Sequence, residues 1–181
     1  MNLDVTLDTN CIINLLDDKS VSRTSYIDLS YILSLISDGL ISGSVTTRFN
    51  ADQSNDLDLN RVRRIASALA ELPIETIGSG FRLNVSSLNG RDFLGDDELI
   101  MVHNKLVNIL SPTGLRPEAN TFTNRLYDID HLISHYFSSN EFFITDDKGI
   151  LKNADKLEND LSMRVVSPSS YAKYSRMTNM T

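Results

Sequence analysis

The stretch Leu3-Asp4-Val5-Thr6-Leu7-Asp8-Thr9-Asn10 opens the chain and decides how it is expected to fold. Apolar and polar side chains alternate from Leu3 to Leu7, which is the pattern of a short β-strand. The pattern then breaks at Asp8-Thr9-Asn10, and these residue types are favoured where a helix begins. An apolar segment over residues 11–16 follows and predicts a short helix. The chain therefore starts with a strand that ends at an acid and runs into a helix.

The same alternation continues along the chain. Further strands are predicted over residues 40–46, 74–77, 142–145 and 163–166, and helices over residues 26–40, 59–72, 96–110, 123–137 and 150–161. The strand at 142–145 is continuously apolar, as in parallel sheets that are buried on both faces. Together these features predict a three-layer α/β/α fold with a mainly parallel central sheet. One domain is expected over residues 1–166, followed by a polar, frayed tail over 167–181.

The composition of the sequence argues against several classes of protein. The 181 residues carry a net charge of −7, which argues against a broad basic face for duplex nucleic acid. The single cysteine, Cys11, excludes an internal disulfide framework, and we expect it to be a small buried apolar residue. The N-terminus does not resemble a signal peptide and no apolar run reaches the length of a membrane span. A cytoplasmic protein that does not enter the membrane is therefore expected.

Carboxylates follow the predicted strands. Asp8 comes directly after the first strand, Asp146 and Asp147 come directly after the 142–145 strand, and Asp52 lies a few residues past the second strand. Asp128 is placed in the first turn of the helix that leads into the 142–145 strand. Because ligands of parallel sheets bind beyond the carboxyl ends of the strands, we expect these acids to converge. Converging carboxylates repel one another and need a cation or shared protons. Oxygen ligands alone indicate Mg²⁺ or Mn²⁺.

Such a cation would activate a water molecule and neutralise charge on a phosphodiester under attack, which predicts a metal-dependent nuclease. Each acid also has a simpler interpretation. Asp8 suits a helix N-cap, Asp147 a turn, Asp128 the helix dipole, and Asp52 a solvated surface. The pairs Asp146/Asp147 and Asp128/Asp130 leave open which acid binds the metal. Asp146 therefore stays in the candidate metal set, and Asp130 is expected to support it.

Four stretches resemble the PIN-domain family: residues 3–10, 45–52, 128–132 and 143–149. The resemblance implies a sheet covered by helices on both faces and a ribonuclease that depends on Mg²⁺ or Mn²⁺. It also implies that Asp8, Asp52, Asp128 and Asp147 are the metal-binding acids, with Asp52 standing where Glu is usual in the family. Thr145 and Asn10 would orient ligands or water. The implied partners are an RNA substrate, an antitoxin protein where the member is a toxin, and a second copy in a homodimer.

Two other functions compete with this prediction. A phosphatase of the haloacid dehalogenase type also has a strand that ends in Asp, but its chemistry calls for Asp-x-Asp, and Asn10 stands at the second position. A non-catalytic PIN-like module that binds RNA or protein is the other, because Asp52 replaces the usual Glu.

His131 and His135 have the i, i+4 spacing of a zinc site but no third ligand, so we expect them to pack inside the protein or to lie on the helix surface.

Overall fold

The computed structural model describes residues 3–17, 25–49, 58–79, 96–115 and 122–178. Within these residues a parallel five-stranded sheet has the order β3-β2-β1-β4-β5. The strands are β1 (Val5–Leu7), β2 (Gly43–Thr46), β3 (Ile74–Ile77), β4 (Phe142–Ile144) and β5 (Arg164–Val166). Helices cover both faces of this sheet, which confirms the predicted α/β fold class.

The helices alternate with the strands along the chain. In order they are α1 (Thr9–Leu16), α2 (Ser25–Ser37), α3 (Leu59–Ala70), α4 (Asp97–Leu110), α5 (Phe122–Ser138), α6 (Lys148–Leu151), α7 (Ala154–Leu161) and α8 (Pro168–Met177). Among the described helices, none is long and apolar enough to pass through a membrane.

Two hydrophobic cores lie on opposite faces of the sheet. Helices α1, α2, α3 and α8 pack over the first face, and α4, α5 and α7 pack over the second. Strand β4 supplies both cores, because Phe142 and Ile144 point to the first face and Phe143 points to the second. This explains why the strand is apolar without interruption: side chains alternate between faces, and here both faces are buried.

The strand order fixes where a ligand can bind. The chain leaves β1 for β2 and β3 on one side, then crosses back to β4 and β5 on the other side. Connections from β1 and β4 therefore diverge, and the crevice at their carboxyl ends is the usual binding position in open α/β sheets. Asp8 follows β1 and Asp147 lies close behind β4, so the topology itself brings these two acids to the crevice.

Some predicted boundaries are wrong. Helix α5 begins at Phe122, so Asp128 lies in its second turn rather than its first, and the dipole at a helix start is not its role. The single helix predicted over residues 150–161 is two helices, α6 and α7. The break between them lies at Asn153. The Asn153 Nδ2 donates a hydrogen bond to the backbone oxygen of Gly149 at 2.9 Å. This side-chain hydrogen bond takes the place of one that a backbone N–H would make in a continuous helix.

The segment predicted as a polar, frayed tail is a packed helix. Ser167 caps α8 by accepting a hydrogen bond from the Ser170 N–H, and Pro168 occupies the first helical turn, where its missing N–H costs nothing. Tyr171 and Ala172 are fully buried, and α8 packs against α2. The polar residues of this segment lie on the exposed face of an amphipathic helix, which is why composition alone suggested a tail.

Candidate metal centre

A pocket of about 280 Å³ lies at the carboxyl ends of β1 and β4. The segment after β1, helix α5 and the segment after β4 contribute its lining residues, which are Asp8, Thr9, Asn10, Ile13, Asn124, Tyr127, Asp128, His131 and Asp147. The structure therefore gathers three of the predicted metal-binding acids, Asp8, Asp128 and Asp147, around one cavity. Asn10, predicted to support them, is among the lining residues as well.

Asp8 is held firmly by neighbouring side chains. Asp8 is 6% exposed. Its backbone N–H donates a hydrogen bond to the carbonyl of Ile144 at 3.0 Å, which holds Asp8 against the end of β4. Its Oδ2 accepts hydrogen bonds from Thr145 Oγ1 at 2.5 Å and from Asn10 Nδ2 at 2.9 Å. Asp8 occupies the N-cap position of α1, yet its side chain makes no capping hydrogen bond. Capping therefore does not explain this carboxylate.

Thr145 and Asn10 join the two strand ends, as expected for residues that orient a site. Thr145 is fully buried, and its Oγ1 accepts hydrogen bonds from the Asp147 N–H at 2.9 Å and from Asn10 Nδ2 at 3.3 Å. The Asn10 Oδ1 accepts from the Asp146 N–H at 3.3 Å. One polar network thus fixes Asp8 relative to the backbone that carries Asp147.

Asp147 combines a structural role with its place in the pocket. It is the N-cap of α6, and its Oδ1 accepts a hydrogen bond from the Ile150 N–H at 2.8 Å. Asp146 is directed elsewhere, since its Oδ2 accepts from Asn14 Nδ2 at 3.0 Å and the residue does not line the pocket. Of the Asp146/Asp147 doublet, Asp147 is therefore the acid that the fold places with Asp8.

Asp128 faces these two acids from α5. Its pKa is raised to about 7, first by burial and then by the negative charges of Asp147 and Asp8. Arg125, whose Nη1 lies 3.1 Å from Asp128 Oδ2, offsets part of this effect. Burial and two neighbouring carboxylates thus act together against ionisation of Asp128. A divalent cation would relieve that repulsion.

Asp130 does not line the pocket. Asp130 is 2% exposed and forms a buried ion pair with Arg48, whose Nε lies 3.0 Å from its Oδ2. Two residues along a helix turn the side chain by about 200°, so Asp130 and Asp128 leave opposite sides of α5. Asp52 falls outside the described residues.

Two histidines connect α5 to the sheet. His131 lies 3.2 Å from Thr9 Oγ1 through Nε2 and 2.6 Å from Thr46 Oγ1 through Nδ1. His135 Nδ1 lies 3.0 Å from Thr6 Oγ1, and burial lowers the pKa of His135 to about 3, so it is neutral. Both are buried, which confirms the packing expected for them and shows that neither is on the helix surface.

Several pocket residues were not predicted. Asn124, Tyr127 and His131 lie on the same face of α5 as the predicted Asp128, because the four positions have the spacing i, i+3, i+4 and i+7. This polar stripe was a usable signal, since a buried helix face that carries an acid and a histidine is unusual for a core. Thr9, expected only as part of a helix start, also lines the pocket.

The donor atoms fit a hard divalent cation. The three acids offer oxygen only, which suits Mg²⁺ or Mn²⁺ better than softer metals. Within the described residues, no group of three or more His, Cys, Asp and Glu side chains is close enough together to hold a metal ion as the side chains stand. The acids instead stand around the pocket and bond to protein donors, as mutually repelling carboxylates would. Asp8, Asp128 and Asp147 are the residues that would hold the ion.

Comparison with known proteins leaves the family open. No protein-family model matches this chain, and no curated protein matches it.

Proposed function

We propose that this protein is a metal-dependent endoribonuclease that hydrolyses RNA phosphodiester bonds. The observation that carries the proposal is the convergence of Asp8, Asp128 and Asp147 on one pocket at the topological switch of the sheet. The raised pKa of Asp128 supports it, because after burial the next causes of that shift are the charges of Asp147 and Asp8. The resemblance of four sequence stretches to the PIN-domain family supports the same activity.

The residues of the pocket have different roles in the proposed reaction. When bound, Mg²⁺ or Mn²⁺ supplies an activated water and charge neutralisation at the phosphate. Thr145 and Asn10 fix the Asp8 carboxylate through its Oδ2, and the Ile150 N–H fixes Asp147 through its Oδ1. Held in this way, two ligands need little reorganisation before the reaction. Asp128 must be ionised to bind a cation, so its pKa of about 7 favours activity at neutral to alkaline pH.

Unpaired RNA fits this pocket better than duplex. The net charge of −7 leaves little reason to expect a broad basic track for two phosphate backbones. Tyr127 lines the pocket close to Asp128 and offers an aromatic face on which an unstacked base can lie. Recognition would then depend on stacking and on the metal rather than on many cationic side chains.

The test pairs a ligand variant with a matched distant variant. Asp8→Asn keeps the size of the side chain but removes the charge, and we expect cleavage of a labelled single-stranded RNA with Mn²⁺ to fall by about 100-fold or more. Asp160→Asn, an exposed acid at the end of α7, should cleave at the wild-type rate. Circular dichroism checks that both variants are folded. Cleavage by Asp8→Asn at the wild-type rate would contradict the proposal.

Calorimetric titration with Mn²⁺ separates the competing functions. A folded wild-type protein that binds no Mn²⁺ and cleaves no RNA would favour a non-catalytic binding module. A phosphoryl group trapped on Asp8 would favour the phosphatase. An antitoxin partner and a homodimer remain predictions from the family resemblance, and size-exclusion chromatography with light scattering tests the second.

A further inference from the structure

Arg125 is the cation that contacts the candidate metal ligand Asp128 on α5. It lies one turn before Asp128, and its Nη1 is 3.1 Å from Asp128 Oδ2. The Arg125 side chain is 29% exposed and that of Asp128 is 26% exposed, so the pair lies at the boundary between the pocket wall and solvent. Because both side chains are partly exposed, their ion pair can break without moving either side chain out of the hydrophobic core.

The same guanidinium reaches towards Asp147. A Cβ placed on Gly149 would lie 3.0 Å from Asp147 Oδ1, 3.6 Å from Arg125 Nη2 and 3.7 Å from Arg125 Nη1. Both charged groups therefore come within 4 Å of one point beside Gly149. The Arg125 guanidinium and the Asp147 carboxylate are therefore neighbours beside Gly149, while the ion pair of Arg125 is with Asp128.

The charge of Arg125 does part of what a metal ion would do. Its guanidinium places a positive charge 3.1 Å from one of the three acids that line the same pocket. A divalent ion bound by the same carboxylates would repel a guanidinium held this close, because like charges interact strongly in a partly buried site.

We propose that Arg125 takes the place of the cation in the metal-free protein and releases Asp128 when a divalent metal binds. This inference rests on the proposed function, since it concerns the same three acids. Arg125 is then a positioning residue: its ion pair holds the Asp128 carboxylate, and it competes with the metal for that carboxylate. Its removal should therefore strengthen metal binding, whereas a purely structural residue should weaken it when lost.

Mn²⁺ titration calorimetry on the full chain tests the competition. It is done at about pH 8, so that the proton on Asp128 competes less with the metal. We expect Arg125→Gln to bind Mn²⁺ about 10-fold more tightly than wild type. Arg125→Lys keeps the charge and should stay within about threefold. Arg164→Gln removes the same charge at the first residue of β5, at the opposite end of the strands from the pocket, and should match wild type.

The outcomes separate this inference from the proposed function. Wild-type affinity, or weaker binding, in Arg125→Gln overturns the role of Arg125 while Mn²⁺ binding by the wild type still supports the nuclease. A wild-type protein that binds no Mn²⁺ overturns both. Thermal melts without metal confirm that each variant is folded, and Arg125→Ala carries the same expectation if the glutamine variant does not fold.

Discussion

At the scale of single residues, Asp128 is the acid whose pKa is raised by burial and by neighbouring negative charges. The folded protein holds its proton up to a pH of about 7, whereas the unfolded chain loses it near the ordinary value of 3.8. The folded state therefore binds this proton more tightly. Without metal, the contribution of Asp128 to stability is largest at low pH and is lost as the pH rises from about 4 through 7. Burial, followed by the charges of Asp147 and Asp8, is the physical cause of this loss.

Asp128→Asn should make the metal-free protein more stable at alkaline pH. The variant removes the repulsion by Asp8 and Asp147 but also the Arg125 ion pair, so we expect a gain of about 1–2 kcal/mol at pH 8. At pH 5 the two proteins should differ little. Urea unfolding in EDTA at both pH values measures the difference. A variant less stable than wild type at pH 8 would show that the three acids do not repel one another.

His135 gives a second pH dependence with the opposite sign. Burial lowers its pKa from 6.5 to about 3, so the unfolded chain takes up a proton before the folded protein does. Stability from this group is complete above pH 6.5 and declines as the pH falls towards 3. His135→Gln should remove that decline, which amounts to about 2 kcal/mol at pH 5. Urea unfolding at pH 7.5 and 5 measures it, and equal slopes in both proteins would contradict the neutral, buried state.

At the scale of elements, α5 owes its position to polar contacts as much as to packing. Arg48, at the end of β2, pairs with Asp130 inside the protein, and Thr46 contacts His131 one residue further along the helix. These contacts set the rotation of α5. Because Asp128 leaves the helix on the other side from Asp130, the same rotation points it at the pocket. A buried ion pair thus helps to place a candidate metal ligand.

Helix α8 should contribute substantially to stability. Tyr171 is fully buried and packs edge-on against Phe142, with ring centroids 5.3 Å apart. We expect Tyr171→Ala to cost about 3–4 kcal/mol in chemical unfolding, and exposed Lys173→Ala to cost less than about 0.5 kcal/mol. The Tyr171 hydroxyl has no hydrogen-bond partner among the described residues, so Tyr171→Phe should be neutral or stabilising. An alanine variant as stable as wild type would mean that α8 is not part of the folded core.

At the scale of the whole molecule, the candidate site is a consequence of strand order. Asp8 and Asp147 are far apart in sequence, and they meet because β1 and β4 are neighbours at the point where the connections reverse direction. The hydrogen bond that Thr145 donates to Asp8 connects the ends of these two strands. A ligand that bridges Asp8, Asp128 and Asp147 would therefore tie β1, α5 and β4 together and stabilise the entire domain.

Mn²⁺ should raise the melting temperature of the wild-type protein. An ion that binds only the folded state at 100 times its Kd adds about 2.7 kcal/mol, which corresponds to about 5–10 °C for a domain of this size. Asp8→Asn should lose most of this shift, whereas Asp160→Asn should keep it. Differential scanning fluorimetry over a series of Mn²⁺ concentrations measures the effect. A wild-type melting temperature that does not change with Mn²⁺ would argue against a shared ion.

The sequence by itself determined the layered α/β fold and the strand ends that carry Asp8 and Asp147. These follow from local patterns, because alternation, helical spacing and the acid after a strand all lie within a few residues of one another. Only the tertiary structure decided that Asp128 rather than Asp130 faces the pocket, that Arg125 contacts it, and that residues 168–177 pack as a helix. Each of these depends on how a helix is rotated or docked against distant segments, and such contacts leave little trace in a local pattern.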